Sequence, residues 1–208
     1  MSPASTPSTP GPPGTHRLPA AERRRQLLDV ALASFGREGF HLTSMSELAE
    51  AAGVTKPVLY QHFGSKRDLY LEVLRDVGGR MISDVGKAIA GAEGPRQQVE
   101  AGFTAYFEWV DRDRAGFEVL FAGDTRRDPE FLAELEKVET EFADAIAGLI
   151  AVDGIDHEHQ LLLAYGIVGI AETTCRHWVH ADLALPPAAL AQAVSELAWA
   201  GLRGLRAD

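Results

Sequence analysis

The chain has 208 residues, 46% hydrophobic and 24% charged, the balance of a globular protein with one large or two small cores. No apolar run approaches the roughly 20 residues that cross a bilayer, and Met1–Gly14 lacks the apolar segment of a secretory leader, so no membrane partner is expected. The net charge of −10 would oppose nucleic acid if it were spread evenly, and it is not.

Residues 1–67 hold eight Lys/Arg against five Asp/Glu, a net +3; residues 68–208 hold twelve against twenty-five, a net −13. The basic end is the natural electrostatic footprint for DNA, and the acidic end would be repelled from phosphate. Residues 1–16 are rich in Pro, Ser, Thr and Gly and have little to bury, which predicts a disordered tail. Cys175 is the only cysteine; it excludes an internal disulfide and suits a reducing, cytoplasmic setting and a small core position.

Helical spacing runs through nearly the whole chain, and no segment alternates as a strand does. The first helix is predicted from Pro19 or Ala20 to Arg37, with Leu27, Leu28, Ala31, Leu32 and Phe35 as its apolar stripe and Gly39 as its stop. Ser44 with Glu47 forms a capping box for the second helix, which Gly53 ends. Thr55 is read as the cap of the third, with Pro57 tolerated in its first turn. Ser65, helped by Asp68, caps a long fourth helix followed by Leu69, Val73, Val77 and Val85 and softened by Gly78, Gly79 and Gly86. Further helices are expected near residues 95–110, 115–121, 129–151, 157–180 and 188–205. The fold class is therefore all-α with about nine helices.

Two short helices around a tight turn make a helix-turn-helix, whose second helix lies in the major groove. Leu59 and Phe63 would pack inward, leaving Thr55, Lys56, Val58, Tyr60, Gln61 and His62 on outer faces. Lys56 suits guanine or phosphate, Gln61 an adenine edge and Val58 a thymine methyl. Tyr60, His62 and Lys66 suit phosphate oxygens, and Thr43 and Ser44 can clamp the backbone. Arg23, Arg24 and Arg25 read as a solvated face of the first helix rather than as phosphate contacts.

The run Ala51-Ala-Gly-Val-Thr-Lys-Pro-Val-Leu-Tyr-Gln-His-Phe-Gly-Ser-Lys66, followed by Asp68-Leu-Tyr70, resembles the signature of the TetR family of transcription regulators. The resemblance implies a three-helix DNA-binding domain over 17–66 and an effector-binding and dimerisation domain over 67–208. It places DNA contacts at Ser44, Ser46, Thr55, Lys56, Pro57, Tyr60, Gln61, His62 and Lys66. Position 46 departs from some members, which carry an Arg there. Arg114-Ala-Gly-Phe-Glu-Val-Leu-Phe121 and Gly166-Ile-Val-Gly-Ile170 further resemble a branch that governs fatty-acid synthesis. That branch implies an acyl-CoA or fatty-acid effector; a family member repressing drug efflux, with a cationic or aromatic drug as effector, is the alternative.

Phe103, Tyr106, Phe107, Phe117, Phe121 and Phe142, with Trp109 and Phe131 nearby, are candidates for an apolar effector pocket, against plain core packing. Leu162, Tyr165, Val168, Gly169, Ala193 and Leu197 are candidates for a homodimer interface that would pair two reading heads on a palindromic operator. His157 and His159 look metal-like but diverge at two residues' spacing, so a capped helix start is expected there. Cys175, His177 and His180 diverge likewise. No metal or cofactor is expected. With no phosphate loop, nucleophile elbow or carboxylate pair, neither is an enzyme.

Overall fold

The computed structural model describes residues 18–121, 125–150 and 154–204; the expected tail over 1–16 lies outside them. Among the described residues all regular structure is helical. In chain order it comprises α1 (Ala20–Leu42), α2 (Met45–Ala51), α3 (Lys56–His62), α4 (Lys66–Ala90), α5 (Pro95–Arg112) and α6 (Arg114–Phe121). A 3-10 turn (Thr125–Arg127), α7 (Pro129–Ala147), α8 (His157–His180) and α9 (Pro187–Leu202) follow.

The caps explain most boundaries. Ser44 and Glu47 exchange side-chain bonds with each other's backbone amides, forming the expected box at α2. Ser65 accepts from the Asp68 amide at α4, and Asp128 accepts from the amides of Glu130 and Phe131 at α7. Asp156 caps α8 by accepting from the His159 amide, and this bond, helped by the His159 ring, holds its carboxyl below the ordinary range. Thr55 departs from expectation: its side chain caps nothing. The reason is Pro57, which has no amide to offer at the second position, while the Val58 amide bonds the Thr55 carbonyl. Gly39, with φ 80° and ψ 165°, breaks α1 as expected, but a helical turn resumes after it and reaches Leu42. α7 stops at Ala147, short of the expected residue 151.

Leu27, Ala31 and Phe35 of α1 are buried with Leu48 of α2, Leu59 of α3 and Leu69, Val73 and Val77 of α4. Each of these leucine, valine and phenylalanine side chains contributes roughly 1.5–3 kcal/mol on burial. α4, about 37 Å long at about 1.5 Å per residue, runs from this head into the body, where α5 and α7 flank it. α9 lies on α5 and α8 on α7, while α1 is applied directly to α6. Gly78 is no soft point: a β-carbon there would stand 2.7 Å from both Val138 methyls, so the residue lets α7 approach.

Candidate nucleic-acid interface and apolar cavity

α3 is anchored by Leu59, 1% exposed, and by Phe63 just beyond its end. These two fix which face turns outward. Thr55, Lys56, Pro57, Tyr60 and Gln61 are exposed, and Val58 and His62 are half-buried. Ser44 and Ser46, at the start of α2, are exposed beside them in sequence. An ammonium, an amide and a hydroxyl (Lys56, Gln61, Tyr60) thus stand on one rigid element, the chemistry needed for base edges and phosphates.

Two expected contacts are corrected. Thr43 is 1% exposed and its hydroxyl donates to the Gly39 carbonyl at 2.8 Å, so it ties off α1 rather than facing outward. The Lys66 ammonium donates to the carbonyls of Phe40 at 2.7 Å and Thr43 at 2.9 Å and lies 4.3 Å from the centre of the Phe40 ring. Partial burial holds its pKa below the ordinary lysine value. The group is a fastener between α1 and α4, not a free phosphate donor.

The arginine cluster is not simply solvated either. Arg24 pairs with Glu72 and stacks 4.7 Å over Phe63, and Arg25 bonds Asp76 of α4 at 2.5 Å as well as Asp29. Arg67 grips Asp128 with two bonds of 2.6 and 2.8 Å and reaches Glu130. These pairs fix the head on α4, and α4 on the start of α7.

The aromatic candidates separate into groups. Phe131 joins Phe35, Phe40 and Tyr70 where the head meets the body, with Phe40 and Tyr70 ring centres each 4.8 Å from it. Phe107 and Phe117 are fully buried core and belong to neither of two neighbouring cavities. Phe103, Tyr106 and Phe142 do line one, a cavity of about 400 Å³. Most of its wall is aliphatic instead: Val85 and Ile89 of α4, Val99 of α5, Ile146 of α7 and Ile167 of α8. Gln98 and Arg203 are its polar lining besides Tyr106, and no carboxylate lines it among the described residues. Isolated polar residues at helix ends follow no period, so Gln98 and Arg203 carried no signal in the sequence. Phe121 lines a second cavity of about 20 Å³, shared with Tyr106 and Phe142.

The Tyr106 hydroxyl is buried without a hydrogen-bond partner, and burial pushes its pKa well up. Cys175, also buried, has its thiol pushed up to about 12, so it is an inert core residue. On α8 and α9, Leu162 is 70% exposed, Leu197 64% and Tyr165 41%, with Gly169 and Ala193 also exposed. Val168 is the exception among the interface candidates, since it faces both cavities. No helix is long and apolar enough to cross a membrane among the described residues.

The sequence pattern of bacterial regulatory proteins of the tetR family matches residues 27–73, and that of the tetracyclin repressor-like C-terminal domain matches residues 95–201. The HTH-type transcriptional activator FasR of Mycolicibacterium smegmatis is 35% identical over 188 residues, which covers 90% of this chain and 86% of the relative. The HTH-type transcriptional repressor KstR2 of Rhodococcus jostii is 26% identical over 141 residues, 67% of this chain and 69% of the relative. Among solved structures, a TetR-like transcriptional regulator from Rhodococcus sp. RHA1 superposes with a TM-score of 0.74 at 28% identity, covering 91% of this chain and all of the other. The regulator FadR of Bacillus subtilis, in complex with stearoyl-CoA, superposes with a TM-score of 0.76 over 85% of this chain and 98% of its own. Its 20% identity speaks to fold.

Proposed function

The chain belongs to the tetR family of bacterial regulatory proteins and is a TetR-type transcription regulator, and on that footing we propose that it governs lipid metabolism in response to a fatty-acyl effector, acyl-CoA or fatty acid. Two copies pair through α8 and α9 in this reading. Each lays α3 in the major groove of one half of a palindromic operator. Lys56 and Gln61 read base edges, Tyr60 and His62 hold phosphate, and Ser44, Ser46, Thr55 and Pro57 border the contact.

The observation that carries the effector assignment is the 400 Å³ cavity, apolar throughout except for Gln98, Tyr106 and Arg203. Its size is that of a small-molecule site, within the range of about 300–1,000 Å³. It suits an acyl chain, with the bulky anionic head left outside near the Arg203 guanidinium. A cationic drug would need a buried carboxylate that the described lining lacks, and this disfavours the efflux reading. Val85 and Ile89 make α4 part of the wall, so an occupant that prefers one setting of α4 biases the head. A coupling of about 1–3 kcal/mol would change DNA affinity about 5- to 150-fold.

A mobility-shift series on DNA flanking the gene tests this. The protein should retard that DNA, Gln61→Ala should weaken it, and palmitoyl-CoA should release it while a cationic dye does not. Release by the dye alone, or no retardation, would refute the assignment.

A further inference from the structure

Most cations of the head have their charge met from within. Among the described residues Arg24 pairs with Glu72, Arg25 with Asp29 and Asp76, and Arg37 with Glu38, while Lys66 is taken up by carbonyls. Lys56 and Arg23 are left without a carboxylate partner. Lys56 stands on α3, and Arg23 stands half-buried in the first turn of α1. The Arg23 Nη1 donates to the side-chain oxygen of Gln26 at 2.6 Å, on the same face one turn along. The Gln26 Nε2 donates in turn to the Ala52 carbonyl at 3.3 Å. Ala52 closes α2, and Gly53 after it, with φ 64°, turns the chain toward Thr55 and Lys56. The two bonds thus hold Arg23 beside the turn of the helix-turn-helix. A neutral amide fixes a guanidinium without cancelling its charge, and the planar fork keeps further N–H donors free for an anion.

We propose that Arg23 binds a DNA phosphate beside the groove that α3 enters, and that Gln26 is the residue that positions it. This rests on the reading of α3 above and extends the contact surface to α1. Arg23 is thereby set apart from Arg24 and Arg25, which brace the head on α4. A phosphate contact carries no sequence information; it sets where the protein sits on the duplex. Because Gln26 bonds both Arg23 and the turn, the gripped phosphate lies at a fixed offset from Lys56 and Gln61. The charge supplies affinity for any duplex, and the amide keeps that affinity in register with the base-reading side chains.

The test titrates the full chain onto DNA flanking the gene and onto a shuffled duplex of the same length, at salt from about 50 to 200 mM. Fluorescence anisotropy reads the affinity of the unaltered protein, Arg23→Gln, Gln26→Met and the double variant, and circular-dichroism melting shows that each is folded. Arg23→Gln should flatten the plot of log affinity against log salt by about 0.9 and weaken both duplexes by the same factor. Gln26→Met should weaken both several-fold, and adding Arg23→Gln to it should cost less than Arg23→Gln alone, because the two residues act as one unit. An unchanged slope in folded Arg23→Gln, or a loss confined to the flanking DNA, overturns the phosphate assignment while leaving α3 as the reading helix. Additive losses overturn the role of Gln26. Equal affinity of the unaltered protein for the two duplexes overturns the reading of α3 and the inference with it.

Discussion

Lys66, in the first turn of α4, donates to the carbonyl of Phe40, in the last turn of α1, while its charge rests 4.3 Å from the centre of the same residue's ring. A single side chain thus closes the end of one helix and docks it on the next. Lys66→Met keeps the length and removes the donor, leaving the carbonyls of Phe40 and Thr43 to water or to nothing. The expected loss is about 1–3 kcal/mol, toward the lower end because the site is only half-buried. Thermal melting measures it. The salt dependence of DNA binding should keep its slope; a slope reduced by about 0.9 would instead assign Lys66 to a phosphate.

The Arg67–Asp128 pair fastens α4 to α7 and makes stability depend on pH. Hydrogen bonds from Arg67, helped by the amides of Glu130 and Phe131, hold the Asp128 carboxyl at about 2, below its ordinary 3.8. Because the folded value is the lower one, the stabilisation is present above 3.8 and is lost as pH falls through about 2. The melting-temperature gap between the unaltered protein and Asp128→Asn should therefore be constant from neutral pH to about 5 and shrink below that. A gap that does not close on acidification would contradict the assignment.

Gly36 lets α1 lie directly on α6: a β-carbon there would stand 2.7 Å from the Ala115 α-carbon and 2.9 Å from its carbonyl oxygen. Backbone cannot yield as a flexible side-chain tip would. Gly36→Ala should cost about 1–3 kcal/mol through overpacking, read by chemical denaturation. Because α6 also reaches the small cavity through Leu120 and Phe121, the variant should release DNA at a different effector concentration. A neutral effect on both readouts would mean that the two helices are not coupled there.

Leu162 and Leu197, on the two helices of the proposed pairing, leave most of their surface in water, where a second copy can cover it. Leu162→Glu with Leu197→Glu should yield monomers by sedimentation with little change in monomer stability, and DNA retardation should be lost with the pairing. Monomers in the unaltered protein, or dimers in the double variant, would count against the interface.

Much of this arrangement was legible in the sequence because it is local. The Ser44–Glu47 box, the Ser65 and Asp156 caps and the buried spacing of Leu27, Ala31 and Phe35 each depend on residues within two turns. What escaped depends on partners far along the chain. Nothing near Lys66 announces that its ammonium will find carbonyls 23 and 26 residues earlier. Thr55 does not act as a cap because of a neighbour, Pro57, which suits the first helical turn yet withholds the amide that a cap would bind. Phenylalanines draw attention as pocket residues, yet Phe107 and Phe117 are core, whereas the cavity wall is mostly aliphatic, with valine or isoleucine from four helices. Such residues look alike in sequence whether they face each other or a void.

Labelled DNA from upstream of the gene, bound by the full chain and titrated with palmitoyl-CoA, gives the most direct measurement when paired with Ala171→Phe. Ala171 is a cavity-lining residue, and a ring there would occupy the space proposed for the acyl chain. Anisotropy should fall on titration for the unaltered protein and stay high for Ala171→Phe, with DNA affinity in the absence of palmitoyl-CoA the same for both. Release of the DNA from Ala171→Phe at the same concentration would show that the effector acts elsewhere.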